Sequence, residues 1–360
     1  MSTSNRQAGL PTRRHQGRRA MGGLLALSLF CPSLLTGADL RIGIIGCDTS
    51  HVTAFTETLN NPQAKGHIPG GKVVAAFKGG SQDMAQSRDR VEQYSKVLRE
   101  KYGVQFYESI GALCRNVDVV LLESVDGRPH LEQMKQVLQV ETVPPAANGA
   151  ALLLHGSSLR SKPKSVFIDK PMASSLHDVR EIFRMAKAAG VPVFSSSALR
   201  FAKDTQAVNQ GSLGQVRYAE TYGPCEREPH HPDLFWYGVH GVEALYTVMG
   251  TGCESVQRVT TADGKIEVVG NWPGGRKGVF RQDKSFHGLA RGDKGEATAG
   301  SFDGYVPLVA EIMKFFRTGI APVPPEETTE IFAFMEAADA SKAKGGEAVK
   351  ISETWEKSGR

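Results

Sequence analysis

The chain has 360 residues, of which 40% are hydrophobic and 22% charged, a composition typical of a globular protein with room for two domains. The formal net charge is +5, and the first 20 residues carry five arginines and no acid. The remainder is nearly neutral, which argues against a nucleic-acid-binding surface. The five cysteines are far apart and form no Cys-x-x-Cys pair, so we expect small buried residues and not a cysteine-based metal or redox site.

Residues 1–38 have the three-part layout of an export signal. The arginine-rich region precedes the apolar run Met21–Leu35, and the small residues 36–38 suit cleavage. Because Arg18-Arg19 resembles a twin-arginine signal, we expect export to the periplasm and a mature chain from about Asp39. The apolar run is too short for a stable membrane span. The alternative is a true start at Met21 or later, and the protein would then be cytoplasmic.

Between residues 39 and 195, short apolar segments alternate with amphipathic ones. This alternation predicts a doubly wound parallel sheet, that is, an α/β Rossmann domain, with strands at 40–45, 72–77, 104–107, 117–122, 165–168 and 191–194. Helical spacing predicts helices that include 52–59, 89–102, 129–140 and 179–186, and Gly190 stops the last of them. Residues 141–164 break the rhythm, and we interpret them as a surface insertion.

From residue 196 the pattern changes to that of an α+β domain, which we expect to extend to residue 345. Strands predicted at 215–222, 255–260, 265–269 and 277–280 indicate a mainly antiparallel sheet. Helices predicted at 242–249 and 305–316 frame the last three strands and are expected on one face of the sheet. We expect the final helix, 326–344, to pack back on the first domain, and residues 346–360 to form a tail.

The turn Asp169-Lys170-Pro171 follows the fifth predicted strand directly. Ligands of open α/β sheets bind beyond the carboxyl ends of the strands. Lys170 could therefore reach a bound substrate and donate a proton or a charged hydrogen bond, and Pro171 stiffens the turn that holds it. The alternative is a solvated lysine beside a partner carboxylate.

The turn after the first strand is the candidate phosphate site. A dinucleotide site commonly uses Gly-x-Gly-x-x-Gly, so that backbone amides and a helix N-terminus approach the pyrophosphate. Only Gly46 matches, because Asp48 and His51 occupy the other two glycine places. Thr49 and Ser50 offer hydroxyl and amide donors to a phosphate, whereas Asp48 brings negative charge toward it. The alternative is a simple helix cap.

The second strand ends in Phe77-Lys78-Gly79-Gly80-Ser81. An acidic residue normally holds the adenosine ribose at this place, and here it is absent. Lys78 would suit a 2′-phosphate, which favours NADP over NAD, and the alternative is an ordinary exposed turn.

These features together resemble the Gfo/Idh/MocA oxidoreductases, a family that includes glucose–fructose oxidoreductase and inositol dehydrogenase. The resemblance covers roughly residues 40–345 and rests on Gly46, on the fourth strand leading into Glu123–His130, on the antiparallel second domain and above all on the Asp-Lys-Pro turn. That turn is the counterpart of the family's Glu-Lys-Pro, whose lysine lies where substrate and nicotinamide meet. The resemblance implies a Rossmann domain, NAD or NADP, and a sugar-like alcohol substrate. Asp-Thr-Ser-His in place of the family's glycines marks a divergent branch.

His240 is the second catalytic candidate. The family has an Asp-x-x-x-His motif here, whose histidine acts near the reacting hydroxyl; His240 matches that histidine, and Trp236 stands where the aspartate would be. A histidine can take a hydroxyl proton near neutral pH. The alternative is a structural histidine that caps a helix.

Other polar residues are candidates for the substrate pocket or the nicotinamide end of the fold, with a charged loop or a surface side chain as the alternative; they are Glu123, Asp126, His130, Arg200, His231 and Asp233. A metal held by His230, His231 and Asp233 is not expected, because adjacent histidines point apart in an extended chain.

The sequence therefore predicts an NAD(P)-dependent oxidoreductase that moves a hydride between a sugar- or polyol-like alcohol and a nicotinamide. His240 would take the hydroxyl proton, Lys170 would bind that oxygen, and Asp169 would orient Lys170. One alternative is a sugar hydrolase or epimerase that uses tightly bound NAD for transient oxidation. Another is a non-catalytic ligand-binding protein on the same fold. We also expect a homo-oligomer.

Overall fold

A computed structural model describes residues 38–140 and 163–358 of the chain. The predicted export signal, nearly all of the predicted insertion and Cys31 lie outside the described residues. The other four cysteines are buried and unpaired, as expected. Within the described ranges, no helix combines the length and apolarity that a bilayer crossing requires.

The first layer of the described chain is a parallel sheet of six strands. They are β1 (Leu40–Ile45), β2 (Gly71–Phe77), β3 (Gln105–Phe106), β4 (Val119–Leu122), β5 (Val166–Ile168) and β6 (Val193–Ser195). Their order is β3-β2-β1-β4-β5-β6, and each neighbouring pair is parallel. Every residue of β4 is apolar and buried, as expected of a strand covered on both faces. The predicted Rossmann sheet is confirmed.

The helices of this layer are α1 (Ser50–Asn60), α2 (Ala85–Arg88), α3 (Val91–Tyr102), α4 (Ile110–Cys114), α5 (His130–Leu138) and α6 (Leu176–Ala189). Serine hydroxyls cap two of them: Ser109 accepts from the amide of Ala112, and Ser175 from that of Asp178. Gly190 ends α6 at φ +64, a conformation that favours glycine. The helix predicted at 89–102 begins later, at Val91, because a separate short turn of helix, α2, precedes it.

The second layer is a mixed sheet. Its strands are β7 (Val216–Gly223), β8 (Ser255–Thr260), β9 (Ile266–Trp272), β10 (Arg276–Gln282), β11 (His287–Gly292), β12 (Gly295–Thr298) and β13 (Val349–Lys350). The helices in this part of the chain are α7 (Lys203–Asn209), α8 (Gly238–Met249), α9 (Val306–Thr318), α10 (Pro325–Ala343) and α11 (Ile351–Ser358). The strand order is β12-β11-β7-β10-β9-β8-β13. Strands β7 and β10 pair in parallel and the other pairs are antiparallel, so the prediction of a mainly antiparallel sheet is confirmed.

The sequence pattern missed three strands of this sheet, β11, β12 and β13. Strand β11 reads His-Gly-Leu-Ala-Arg-Gly and buries only Ala290, so it lacks the apolar alternation that predicts a strand. Strand β13 has two residues. The segment expected as a tail, 346–360, is therefore partly regular structure, because β13 pairs with β8 and α11 follows it.

Helix α9 packs on the first sheet, which corrects the expectation that it covers the second. Its residues Leu308, Val309 and Ile312 share a buried cluster with residues of β1, β2, β4 and β5. The ring of Phe315 meets that of Phe194 on β6 edge to face, with centroids 4.8 Å apart. An amphipathic pattern predicts that a helix has an apolar face but not which sheet covers it, so the sequence could not settle this.

Helix α10 joins the two layers. It packs against α8 and β8 of the second layer and against α6 of the first. Its Glu336 accepts a hydrogen bond from the backbone amide of Leu176, the first residue of α6, at 2.7 Å. Helix α10, which corresponds to the helix predicted at 326–344, therefore contacts elements of both layers.

Candidate active site

A cavity of about 320 Å³ lies beyond the carboxyl ends of β1, β4 and β5. The first layer contributes the start of α1, Val125 after β4 and the turn after β5. The second layer contributes the start of α8 and the aromatic ring of Phe286. The lining includes Thr49, Ser50, His51, Gln86, Arg90, Val125, Asp169, Lys170, Ser197, Glu226, Trp236, Tyr237, His240, Phe286, Phe302 and Tyr305. This edge of the sheet is where open α/β folds bind ligands.

Lys170 lines this cavity as a buried side chain. It is 8% exposed, and its Nζ lies over the ring of Tyr237, 5.3 Å from the ring centroid. Burial lowers the pKa of Lys170, while the negative charges of Asp169 and Glu123 act in the opposite direction. The ammonium is therefore poised to donate within a shielded site, unlike a solvated surface lysine.

His240, in the first turn of α8, faces the same cavity. Its Nδ1 lies 2.7 Å from the hydroxyl oxygen of Ser197, which also accepts a hydrogen bond from the backbone amide of Leu199. Burial, reinforced by the positive charges of Lys170 and His51, lowers the pKa of His240 well below its usual value. The imidazole is therefore neutral near pH 7. With Nδ1–H donating to Ser197, the Nε2 lone pair is left free to accept a proton.

The carboxylate of Asp169 pairs with the side chain of His51 and not with that of Lys170. Its Oδ2 lies 2.6 Å from Nδ1 of His51, and the His51 ring stacks on Phe55. Burial opposes ionisation of Asp169, but the charge of His51 and its hydrogen bond, together with the charge and the backbone amide of Lys170, lower the pKa of Asp169. Among the described residues, no ion pair joins Lys170 to this carboxylate within 4.0 Å, so direct orientation of Lys170 by Asp169 is not seen.

Glu123, directly after β4, is fully buried beside this pair. Burial, followed by the negative charge of Asp169, raises the pKa of Glu123 well above its usual value, and the charge of Lys170 opposes that rise. Neither side-chain oxygen of Glu123 has a hydrogen-bond partner within the described chain.

The turn after β1 presents hydroxyls to the cavity and turns its acid away from it. Thr49 caps α1 by accepting a hydrogen bond from the amide of His51. The carboxylate of Asp48 accepts from the hydroxyl of Ser87 at 2.5 Å and from the amide of Val125 at 2.9 Å. Burial raises the pKa of Asp48. Asp48 therefore ties the turn after β1 to α2 and to the segment after β4, and its charge does not line the cavity.

Gly46 is required by close packing between neighbouring turns. Its φ is +88°, and a Cβ added there would lie 2.4 Å from Oγ and 2.5 Å from the backbone nitrogen of Ser124. A left-handed conformation favours glycine, and the backbone of Ser124 cannot move aside like a flexible side chain. Gly46 thus keeps the turns after β1 and β4 in contact.

We expect Gly46→Ala to lower the free energy of unfolding by at least about 2 kcal/mol, because left-handed strain and overpacking add. Urea denaturation of the purified variant measures this loss. Gly103→Ala is the matched control, since Gly103 has φ +66° and no atom within 4 Å of an added Cβ. Equal losses for the two variants would contradict the packing role of Gly46.

Several residues predicted to bind ligand lie outside this cavity. Asp126 accepts hydrogen bonds from Ser81 and Arg128, and His231 Nε2 lies 3.2 Å from the same carboxylate. Burial by itself raises the pKa of Asp126, but these hydrogen bonds outweigh burial and lower the pKa. His130 lies between the carbonyl oxygens of Met172 and Ser124, at 3.0 and 2.9 Å.

The remaining predicted residues form ion pairs elsewhere. Arg200 pairs with two glutamates, Glu243 and Glu327, whereas Asp233 pairs with Arg258 and Lys342, and Lys78 with Glu92. Nδ1 of His230 lies 2.6 Å from Glu228. These residues were indistinguishable from ligand-binding ones in the sequence, because their partners are far away along the chain.

The structure adds cavity residues that the sequence did not single out. Ser197 holds His240, Tyr237 lies under Lys170, and Phe286 meets the His240 ring edge to face at 5.4 Å. Arg90, at the start of α3, is exposed and lines the cavity, and within the described chain no carboxylate pairs with it. Only Ser197 carried a signal, as part of the Ser195-Ser196-Ser197 run that follows a strand.

No protein-family model matches the chain, and a search of curated proteins finds no match. Solved structures do match. A probable dehydrogenase from Thermotoga maritima superposes with a TM-score of 0.66 at 18% identity, over 88% of this chain and 100% of that one. This chain therefore shares the two-domain fold of that structure.

Two further neighbours were solved with small molecules. The myo-inositol dehydrogenase from Lactobacillus casei, in complex with NAD(H) and myo-inositol, has a TM-score of 0.64 at 14% identity and covers 87% of this chain and 96% of its own. The aldose-aldose oxidoreductase from Caulobacter crescentus, complexed with glycerol, has a TM-score of 0.63 at 16% identity, over 87% of this chain and 99% of that one. At these identities the likeness shows the fold.

Proposed function

We propose that the protein is an NAD(P)-dependent oxidoreductase that moves a hydride between a sugar- or polyol-like alcohol and a nicotinamide. The observation that carries this proposal is the convergence of Lys170 and His240, from different layers, on one cavity. A buried ammonium and a neutral imidazole are the donor and the acceptor that oxidation of an alcohol needs. The dehydrogenases and oxidoreductases among the structural neighbours support the proposal.

The residues present fit a nicotinamide dinucleotide at the edge of this cavity. The N-terminus of α1, with Thr49 and Ser50, lines it together with the guanidinium of Arg90. A helix N-terminus and a cation both favour a diphosphate. Asp48, which would oppose it, is held by Ser87 and Val125 instead.

Each residue then has a defined task. Hydride acceptance and donation are the chemistry that a bound nicotinamide supplies. Lys170 would donate a hydrogen bond to the substrate oxygen and stabilise the negative charge that develops on it. His240 would accept the hydroxyl proton at Nε2, with Ser197 fixing the ring through Nδ1. Tyr237 and Trp236 would exclude water from this contact.

The size of the cavity supports a small substrate. A volume of about 320 Å³ is at the low end for ligand pockets, which suits a molecule the size of a monosaccharide. The neighbours solved with myo-inositol and with glycerol support a small polyol. For the choice between NAD and NADP, Lys78 keeps its ion pair with Glu92, so a 2′-phosphate would have to compete for it. Export to the periplasm and homo-oligomerisation remain predictions.

The proposed function predicts that the full chain binds NAD(H) or NADP(H) and that His240→Asn lowers turnover about 10²- to 10⁴-fold, because the general base is lost. Mass spectrometry of the gently purified protein detects a retained nucleotide, and a panel of polyols and aldoses with added NAD(P) tests turnover. His177→Asn, on the exposed surface of α6, is the control.

Three outcomes separate the alternatives. Product formation with retained NAD(P) and no net change in its redox state would indicate transient oxidation. Binding of a polyol without nucleotide or turnover would indicate a ligand-binding protein. A fully active His240→Asn variant would remove the assigned base.

A further inference from the structure

Three side chains with metal-ligating atoms converge at the floor of the cavity. They are His51 in the first turn of α1, Glu123 directly after β4 and Asp169 directly after β5. One potential ligand atom from each lies within 4.8 Å of the other two. Their exposed fractions are 7%, 0% and 1%. The order of the first sheet, in which β1, β4 and β5 are neighbours, brings these residues together.

The oxygen atoms of this cluster are not satisfied by the protein. Both carboxylate oxygens of Glu123 and Oδ1 of Asp169 are buried and have no hydrogen-bond partner among the described residues. Buried polar atoms in proteins are nearly always paired, because burying them alone is costly. Among the described residues, Lys170 forms no ion pair within 4.0 Å, and its Nζ lies over the ring of Tyr237 instead. Three carboxylate oxygens therefore point to a missing positive partner.

We propose that His51, Glu123 and Asp169 form a binding site for one divalent first-row transition-metal ion, such as Zn²⁺ or Mn²⁺. One imidazole and two carboxylates form a ligand set that such ions accept, and three protein ligands are typical of sites that keep a coordination position open. This proposal does not depend on the oxidoreductase function proposed above.

The open position would face the cavity. His51 and Asp169 both line it, whereas Glu123 lies behind them, so the ion would be held from the protein side. A substrate oxygen in the cavity could complete the coordination shell. Nδ1 of His51 lies 2.6 Å from Oδ2 of Asp169, so an ion bound between these two atoms would replace their direct contact.

The test uses the full chain, stripped with a chelator and titrated with ZnCl₂, MnCl₂ or MgCl₂ by calorimetry, with bound metal counted by elemental analysis. We expect one equivalent of Zn²⁺ or Mn²⁺ per chain, and Glu123→Gln should weaken binding at least about 100-fold, because substitutions that only support a ligand already cost 10- to 100-fold. At one fixed metal concentration, the unfolding temperature of the unsubstituted protein should rise more than that of the variant.

Glu228→Gln is the matched control. Glu228 is a buried carboxylate whose Oε1 lies 2.6 Å from Nδ1 of His230, and it lies outside the cluster. It should keep the full affinity. If Glu123→Gln does not fold, the visible absorption of the unsubstituted protein with Co²⁺ replaces it, since ligation of cobalt by this set gives a spectrum that free cobalt lacks. Absence of binding to the unsubstituted protein, or equal affinity in Glu123→Gln, would overturn the site.

Discussion

Under the proposed function, Lys170→Met should reduce turnover of the alcohol about 10²- to 10³-fold while the protein keeps its fold, because one preorganised donor to the developing oxyanion is lost. Methionine has a similar length and suits a site that is 8% exposed, so the substitution removes charge and donor but little volume. Burying an ammonium is costly, and its removal should leave the unfolding temperature unchanged or higher. Steady-state kinetics with a thermal melt separates the two effects.

The control for this variant is Lys135→Met, on the exposed surface of α5, where the lysine pairs with Glu132 at 3.4 Å. It should match the unsubstituted protein in rate. The assignment of Lys170 fails if Lys170→Met retains full activity, or if its loss of activity is matched by loss of the folded state.

Arg200→Met should lower the free energy of unfolding by about 3–5 kcal/mol, because it leaves the buried Glu243 and the partly buried Glu327 without their cation. Nε of Arg200 lies 2.7 Å from Glu243, and its second terminal nitrogen lies 2.7 Å from Glu327. The arginine and Glu243 side chains are each 6% exposed, so water cannot replace the lost partner. Urea denaturation measures the change.

The comparison for this second variant is Arg217→Met. Arg217 pairs with Asp293 on the surface, with both side chains about half exposed, and such pairs contribute at most about 1 kcal/mol. If Arg200→Met lowers the free energy of unfolding no more than Arg217→Met does, the ion pairs of Arg200 with Glu243 and Glu327 do not stabilise the fold. The cluster matters for the site as well, because Glu243 also accepts a hydrogen bond from the backbone amide of Ser197, whose hydroxyl holds His240.

The sequence predicted the parts of the site that depend on local pattern. Lys170 follows a buried strand, and His240 opens a helix, so each was placed by its own neighbours in the chain. The sequence pattern could not distinguish polar residues that bind other parts of the protein from residues that bind a ligand. Asp48 meets Ser87, 39 residues away, and Asp126 meets His231, so the role of each carboxylate depends on distant partners.

The fold shows the same division. Apolar runs and caps predicted the first sheet and most strands of the second. The edge hairpin β11–β12 was not predicted, because few of its residues are buried and they do not alternate between apolar and polar. The packing of α9 on the first sheet was not predicted, because helical periodicity predicts an apolar face but does not identify the surface that covers it.

The position of α9 has a consequence for biosynthesis. The face of the first sheet that carries Phe167 and Phe194 is closed by Phe315 and its neighbours, which are made more than a hundred residues later. A ribosome-bound chain that has emerged only as far as β6 would therefore expose these rings to solvent. Native burial of that face of the first sheet must therefore wait until α9 has been synthesised.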